Sequence, residues 1–187
     1  MHAGVPGAAS MGKIITPTGK PSTQAKTYLY KLAGEAVLGR KEEGYSSEAM
    51  QRGVTLEAEA RKYYEMINDC EVEQVGFCFK DERRSVGCSP DGLVGDNGGL
   101  EIKCPNLSTH VGYLLNEKLP TIYIPQVQGS LWVTGRAWWD FLSYYPGMRP
   151  LLIRVERDEA YIAKLGVMVD AFLTKLRRTV KKLREEP

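Results

Sequence analysis

The chain has 187 residues, 43% of them hydrophobic and 26% charged, with a formal net charge of +2. This composition excludes the disordered, collagenous and coiled-coil classes, and its apolar runs fall well short of the roughly 20 residues of a membrane span. So mild a charge does not announce a nucleic-acid binder, and the length suits one domain with a core of its own. Residues 1–21 read as an irregular arm rich in glycine and proline with a short apolar patch at 11–15, attached to a single domain filling 1–187. Residues 1–10 lack the basic stretch and apolar core of a secretory signal, and with four cysteines at no C-x-x-C spacing a bacterial or viral cytosol is the simplest expected location. Ser22 or Thr23 caps a helix predicted to reach about Leu38 and close at Gly39, with Leu29, Leu32, Ala33 and Ala36 on its apolar face. A second helix is predicted over about 46–67, where Met50, Val54, Tyr64 and Ile67 keep helical spacing.

From Glu71 the period changes to two, and a charged turn at 81–84 predicts a hairpin joining a strand over 71–80 to one over 85–89. A further strand over 100–104 follows the turn-forming run at 95–99. Helices are predicted over 108–116 and 124–133, then strands over 138–144 and 151–155. Asp158 caps a long final helix whose buried stripe is Tyr161, Leu165, Val169, Phe172 and Leu176. Helices, a mixed sheet, then helices again make this a mixed α/β chain. Cys70, Cys78, Cys88 and Cys104 include no C-x-x-C pair and read as small buried hydrophobes, not an iron–sulfur or other metal site. Most of Trp132, Trp138, Trp139, Tyr144 and Tyr145 read as core.

The segment informative about chemistry is Ser89-Pro90-Asp91-Gly92 followed by Glu101-Ile102-Lys103. Residues i and i+2 of a strand share a face, so Glu101 and Lys103 point one way while Leu100 and Ile102 enter the core. Asp91, past the break that Pro90 makes in the chain, can aim its carboxylate at Glu101. Two such carboxylates repel unless a divalent cation lies between them, and hard oxygen ligands suit Mg²⁺ or Mn²⁺. Lys103 beside them can orient a water and stabilise charge on a phosphate. Glu57 shares a helix face with Gly53, Ala60 and Tyr64; it either completes a second metal site or is one more surface glutamate in a run with Glu59 and Glu65. Gln126 and Gln128, two apart at a helix start marked by Pro125, cannot both face the core: one faces the sheet, or both serve backbone and solvent.

Taken in order, Cys88-Ser89-Pro90-Asp91-Gly92-Leu93, Gly99-Leu100-Glu101-Ile102-Lys103-Cys104-Pro105, Gln126-Val127-Gln128, Trp132-Val133-Thr134 and Glu156-Arg157-Asp158-Glu159 resemble the lambda-type phage exonucleases of the PD-(D/E)xK superfamily. The stretch from Gly53 through Glu57 to Ala60-Arg61 is similar to their helical glutamate motif. The resemblance implies a restriction-endonuclease-like core, a central mixed β-sheet flanked by helices. It implies Mg²⁺-dependent digestion of linear double-stranded DNA from 5′ ends to 5′-mononucleotides, leaving 3′ overhangs for recombination, with two ions and Mn²⁺ as a substitute. It further implies a homotrimer around the duplex, a single-strand annealing recombinase as partner, and a phage or prophage gene.

Carried over residue by residue, Asp91 is the shared metal ligand, Glu101 and the Ile102 carbonyl are further ligands, and Glu57 serves the second ion. Lys103 positions the nucleophilic water and Gln126 supports the site. The family's arginine for the DNA 5′-phosphate falls at His2, and its serine at Ala9, with Ser10 one residue on. Lys13, Lys20 and Arg52 are alternative phosphate contacts; Arg83 and Arg84 in the charged turn, and Gln128, are further DNA-facing candidates. An endonuclease of the same superfamily and a non-catalytic DNA-binding module are the rival readings. The presence of Asp91, Glu101 and Lys103 together speaks against the second.

Overall fold

The computed structural model describes residues 2–42 and 48–185, the side chains of 48–54 excepted. Helix α1 (Ala25–Leu38) ends where Gly39 turns left-handed with φ 66°, a conformation that glycine adopts without a Cβ penalty. Its buried Tyr28, Leu29, Leu32 and Ala33 pack on the stripe of the final helix α5 (Glu159–Glu185), and Tyr28 stacks on Phe172 at 5.6 Å. Asp158 caps α5 as predicted, accepting the Tyr161 amide at 2.9 Å.

The 71–80 strand divides in two. Strand β1 (Val72–Glu73) joins the main sheet, while β2 (Cys78–Phe79) pairs with β3 (Gly87–Cys88) in a separate two-stranded ribbon. The partner of β1 is β4 (Gly92–Val94), a strand too short and too glycine-led to show an alternating pattern in the sequence. Strand β5 (Gly98–Lys103) pairs antiparallel with β4 and parallel with β6 (Trp138–Ser143), and β7 (Leu151–Glu156) closes the order β1-β4-β5-β6-β7. A parallel pair needs a crossover. Here α3 (Leu107–Asn116) and α4 (Ile124–Thr134) supply it.

The sheet is covered on both faces. Helix α2 (Glu48–Asn68) lays Ala60 and Tyr64 on Leu100, Ile102 and Leu142, while α4 lays Val127 and Leu131 on Trp139. The parallel neighbour comes close: a Cβ at Gly99 would stand 2.3 Å from the Trp139 ring. The N-terminal arm is built into the core, not laid over it. Residues Ala8–Lys13 form a 3-10 turn against α4, and Met11, Ile14 and Ile15 are buried, because an apolar patch of that size is stabilised by leaving water. On the α2 face, buried Asp140 is satisfied by the Tyr64 hydroxyl at 2.7 Å and by Arg154 at 2.9 and 3.0 Å. Among the described residues no helix is long and apolar enough to cross a membrane.

Candidate active site

Strand β4 stops pairing at Gly92, opposite Leu100, so two residues further along β5 the Ile102 amide has no ladder partner on that edge. Asp91 fills the gap with its side chain: Oδ2 accepts the Ile102 amide at 2.6 Å while the Asp91 amide donates to the Leu100 carbonyl at 3.2 Å. The amide and carbonyl of one strand residue point to the same edge. The Ile102 carbonyl therefore faces the Asp91 side, where a ligand of that kind is expected.

Glu101 projects from the middle of β5 on the α4 face and is only 2% exposed. Its Oε1 accepts from Lys103 Nζ and from Gln126 Nε2, each at 2.5 Å. Of the two glutamines, Gln126 is thus the one that faces the sheet. Lys103 also lies over the Tyr123 ring, 5.4 Å from its centroid. On α2, Glu57 is paired with Arg61 Nη2 at 2.5 Å, and Arg61 Nε donates to the Asp91 carbonyl at 3.0 Å.

The electrostatics follow from burial. Desolvation, then the Glu101 carboxylate, push Asp91 up to about 7 against the opposing pull of the Ile102 amide and Lys103. Burial also raises Glu101, with Lys103 and Gln126 acting the other way. For Lys103, burial alone would favour the neutral amine, but Glu101 outweighs it and holds the ammonium above its ordinary range. Three carboxylates face two fixed cations, which leaves a deficit of positive charge.

Among the described residues no three His, Cys, Asp or Glu side chains gather tightly enough to hold a metal by themselves. A cation here would draw on Asp91, Glu101, the Ile102 carbonyl and water, with Glu57 acting on the pair electrostatically across Arg61. The donors are all oxygen and the site is short of positive charge, so the set fits a hard divalent ion.

The other candidates lie elsewhere. Gln128 is 4% exposed and spends both ends of its amide on backbone, donating to the Glu156 carbonyl at 2.9 Å and accepting the Asp158 amide at 3.0 Å, so it ties α4 to the start of α5. Ser10 lies beside the Tyr28 hydroxyl, and Lys13 Nζ sits 5.2 Å from that ring centroid. Lys20 is exposed on the arm. His2 stacks on Phe77 at 3.9 Å and meets Lys41 Nζ at 2.8 Å. Arg83 and Arg84 stand exposed on the β2–β3 turn, Arg84 over Phe79. The Arg52 side chain falls outside the described residues. The sequence placed Arg61 at the end of the helical glutamate motif without giving it a role, and gave Tyr123 none. The signal for Arg61 was its i+4 spacing from Glu57; for Tyr123 there was none, since its approach to Lys103 depends on the crossover. Cys78 and Cys88 face each other across the ribbon; none of the four cysteines is in a disulfide, and only Cys88 is fully buried, the other three being partly so.

The YqaJ-like viral recombinase domain matches residues 1–137. Among solved structures, the alkaline exonuclease LHK-Exo from Laribacter hongkongensis superposes with a TM-score of 0.89 at 34% identity, covering 98% of this chain and 93% of that one. Its complex with dAMP gives 0.88 at 35%, with the same coverage. A phage-related exonuclease from Haemophilus somnus 129PT shares the fold at 17% identity, TM-score 0.75 and 96% of each chain. ExoD, an uncharacterized protein of Escherichia coli (strain K12), is 36% identical over 63 residues, 32% of this chain and 72% of that protein. The family anticipated from the Asp91, Glu101 and Lys103 motifs is the family found, and the chain belongs to the YqaJ-like viral recombinases.

Proposed function

We propose that this protein is a Mg²⁺-dependent 5′ to 3′ exonuclease that digests linear double-stranded DNA to 5′-mononucleotides and leaves 3′ overhangs for recombination. The family and the 34%-identical alkaline exonuclease support a DNA exonuclease. The observation that carries the reading is the convergence of Lys103 and Gln126 on one oxygen of buried Glu101, with Asp91 locked against Ile102 beside it. The dAMP bound by the same relative is a nucleotide of the class proposed as product.

Asp91, Glu101 and the Ile102 carbonyl would hold one Mg²⁺, and Glu57 with Asp91 a second. Such ions polarise the phosphodiester and ease deprotonation of water. Lys103 is donor-only, so its ammonium orients the attacking water by donating to it and neutralises charge growing on the phosphate. Gln126 fixes the Glu101 oxygen that Lys103 leans on, which keeps both from swinging out as DNA enters. A homotrimer threaded by the duplex, a single-strand annealing recombinase as partner, and a phage or prophage gene acting in the bacterial cytoplasm complete the proposal.

The test is digestion of 5′-phosphorylated linear duplex beside closed circular duplex, in Mg²⁺ and in Ca²⁺. Linear DNA should fall to mononucleotides in Mg²⁺ alone while the circle survives. Nicking of the circle would favour an endonuclease, and intact linear DNA in Mg²⁺ would remove the catalytic reading altogether.

A further inference from the structure

Arg61 has no role in the function proposed above, yet it joins the two parts of the site that come from distant stretches of chain. It leaves α2 one turn after Glu57, and its side chain is only 11% exposed. Nε donates to the Asp91 carbonyl at 3.0 Å and Nη2 to Glu57 Oε1 at 2.5 Å. These two nitrogens lie on one edge of a rigid planar fork, so the spacing between their acceptors is set by the guanidinium itself. Carboxylates that ligate metals are themselves held by hydrogen bonds from an outer layer of residues. Glu57 has more need of this than Asp91 or Glu101: its side chain is 36% exposed, and among the described residues nothing in the sheet holds it as the Ile102 amide holds Asp91.

We propose that Arg61 is a positioning residue that acts through Glu57, bridging it to the Asp91 loop so that the second cation meets a preset pair of carboxylates. This rests on the two-ion reading of the site. A lone ammonium at the same place would conserve the charge but could not span both acceptors in fixed geometry. The bridge therefore predicts that lysine fails to substitute.

The experiment is calorimetric titration of the full chain with Mn²⁺, together with kcat and the half-saturating Mn²⁺ concentration for digestion of linear duplex. Wild type, Arg61→Met, Arg61→Lys, Glu57→Gln and the double variant Arg61→Lys/Glu57→Gln are compared, and circular dichroism confirms that each is folded. Arg61→Met and Arg61→Lys should each lose about 10–100-fold in Mn²⁺ affinity at the weaker site. In the Glu57→Gln background the Arg61→Lys change should cost little more, because the partner it acts through is already gone. Should Arg61→Met not fold, Arg61→Lys and Glu57→Gln carry the comparison alone. Wild-type affinity in Arg61→Lys would reduce the residue to a charge, tighter binding in Arg61→Met would make it a competitor of the ion, and additive losses would separate it from Glu57; each overturns the proposal. Failure of the wild-type chain to bind Mn²⁺ would overturn the metal reading itself, and this inference with it.

Discussion

Replacing Asp91 by asparagine should inactivate the protein and, without a divalent cation, make it more stable. In the folded chain, burial and the Glu101 carboxylate push Asp91 from 3.8 to about 7. At about 1.36 kcal/mol per pKa unit this amounts to a ceiling of roughly 4 kcal/mol, and solvent relaxation at a partly exposed edge brings it to about 2 kcal/mol. The sign follows from linkage. A group whose folded-state pKa lies above its unfolded value adds stability in full below the unfolded value of 3.8, and that contribution is lost as pH rises through about 7. At about pH 8 the ionised Asp91 therefore burdens the fold, whereas an asparagine stays neutral and still accepts the Ile102 amide. In EDTA, thermal unfolding followed by circular dichroism should place Asp91→Asn about 4–8 °C above wild type at pH 8, as expected for about 2 kcal/mol in a domain of this size. The gap should close as pH falls from 8 towards 4. Excess Mg²⁺ should then raise the melting temperature of the wild type by mass action and leave the variant unmoved. Equal stability at pH 8 in EDTA, or a gap that ignores pH, would refute the view that carboxylate crowding in a buried, cation-deficient site sets the charge of Asp91.

Lys103→Met should lower kcat by about 10²–10³-fold, the usual worth of a fixed donor aimed at developing charge, while calorimetry shows Mg²⁺ affinity nearly intact; a collapse of affinity would make Lys103 structural. Gln128→Ala leaves the Glu156 carbonyl and Asp158 amide unpaired and should cost about 2–4 kcal/mol in urea unfolding with kcat per folded molecule unchanged. An unchanged unfolding midpoint with weakened DNA binding would return Gln128 to the DNA surface. In Gly99→Ala the new methyl would stand 2.3 Å from the Trp139 ring, against a parallel strand that has no room to yield. Equilibrium unfolding should show a loss of about 1–3 kcal/mol or more, and a wild-type value would mean β5 and β6 are further apart than the structure has them.

Much of this was legible in the sequence because the rules involved act over a few residues. The end of α1 at Gly39, the Asp158 cap, the buried stripe of α5 and the shared face of Glu101 and Lys103 each follow from a backbone conformation, a side-chain oxygen or a period within one element. The pairing of Asp91 with Glu101 could be anticipated for the same reason, since one short stretch of chain carries both. What the sequence could not supply were relations settled by contacts between distant segments. The alternation from Glu71 to Lys80 is the same whether the chain pairs once or twice. Only the packing of the β2–β3 ribbon against α4, and of Val72 beside Gly92, divides it. The 3.6-residue period allows either Gln126 or Gln128 to face Glu101, and the crossover between β5 and β6 chose the first by seating the second against the start of α5. The apolar patch at 11–15 asks for burial, but where it is buried depends on a groove that α1, α4 and α5 create together. Arg61 stands at a helical spacing that would serve equally well for a solvated ion pair with Glu57. Its role beside the site exists only because folding brings the Asp91 carbonyl within 3.0 Å of a helix thirty residues earlier in the chain.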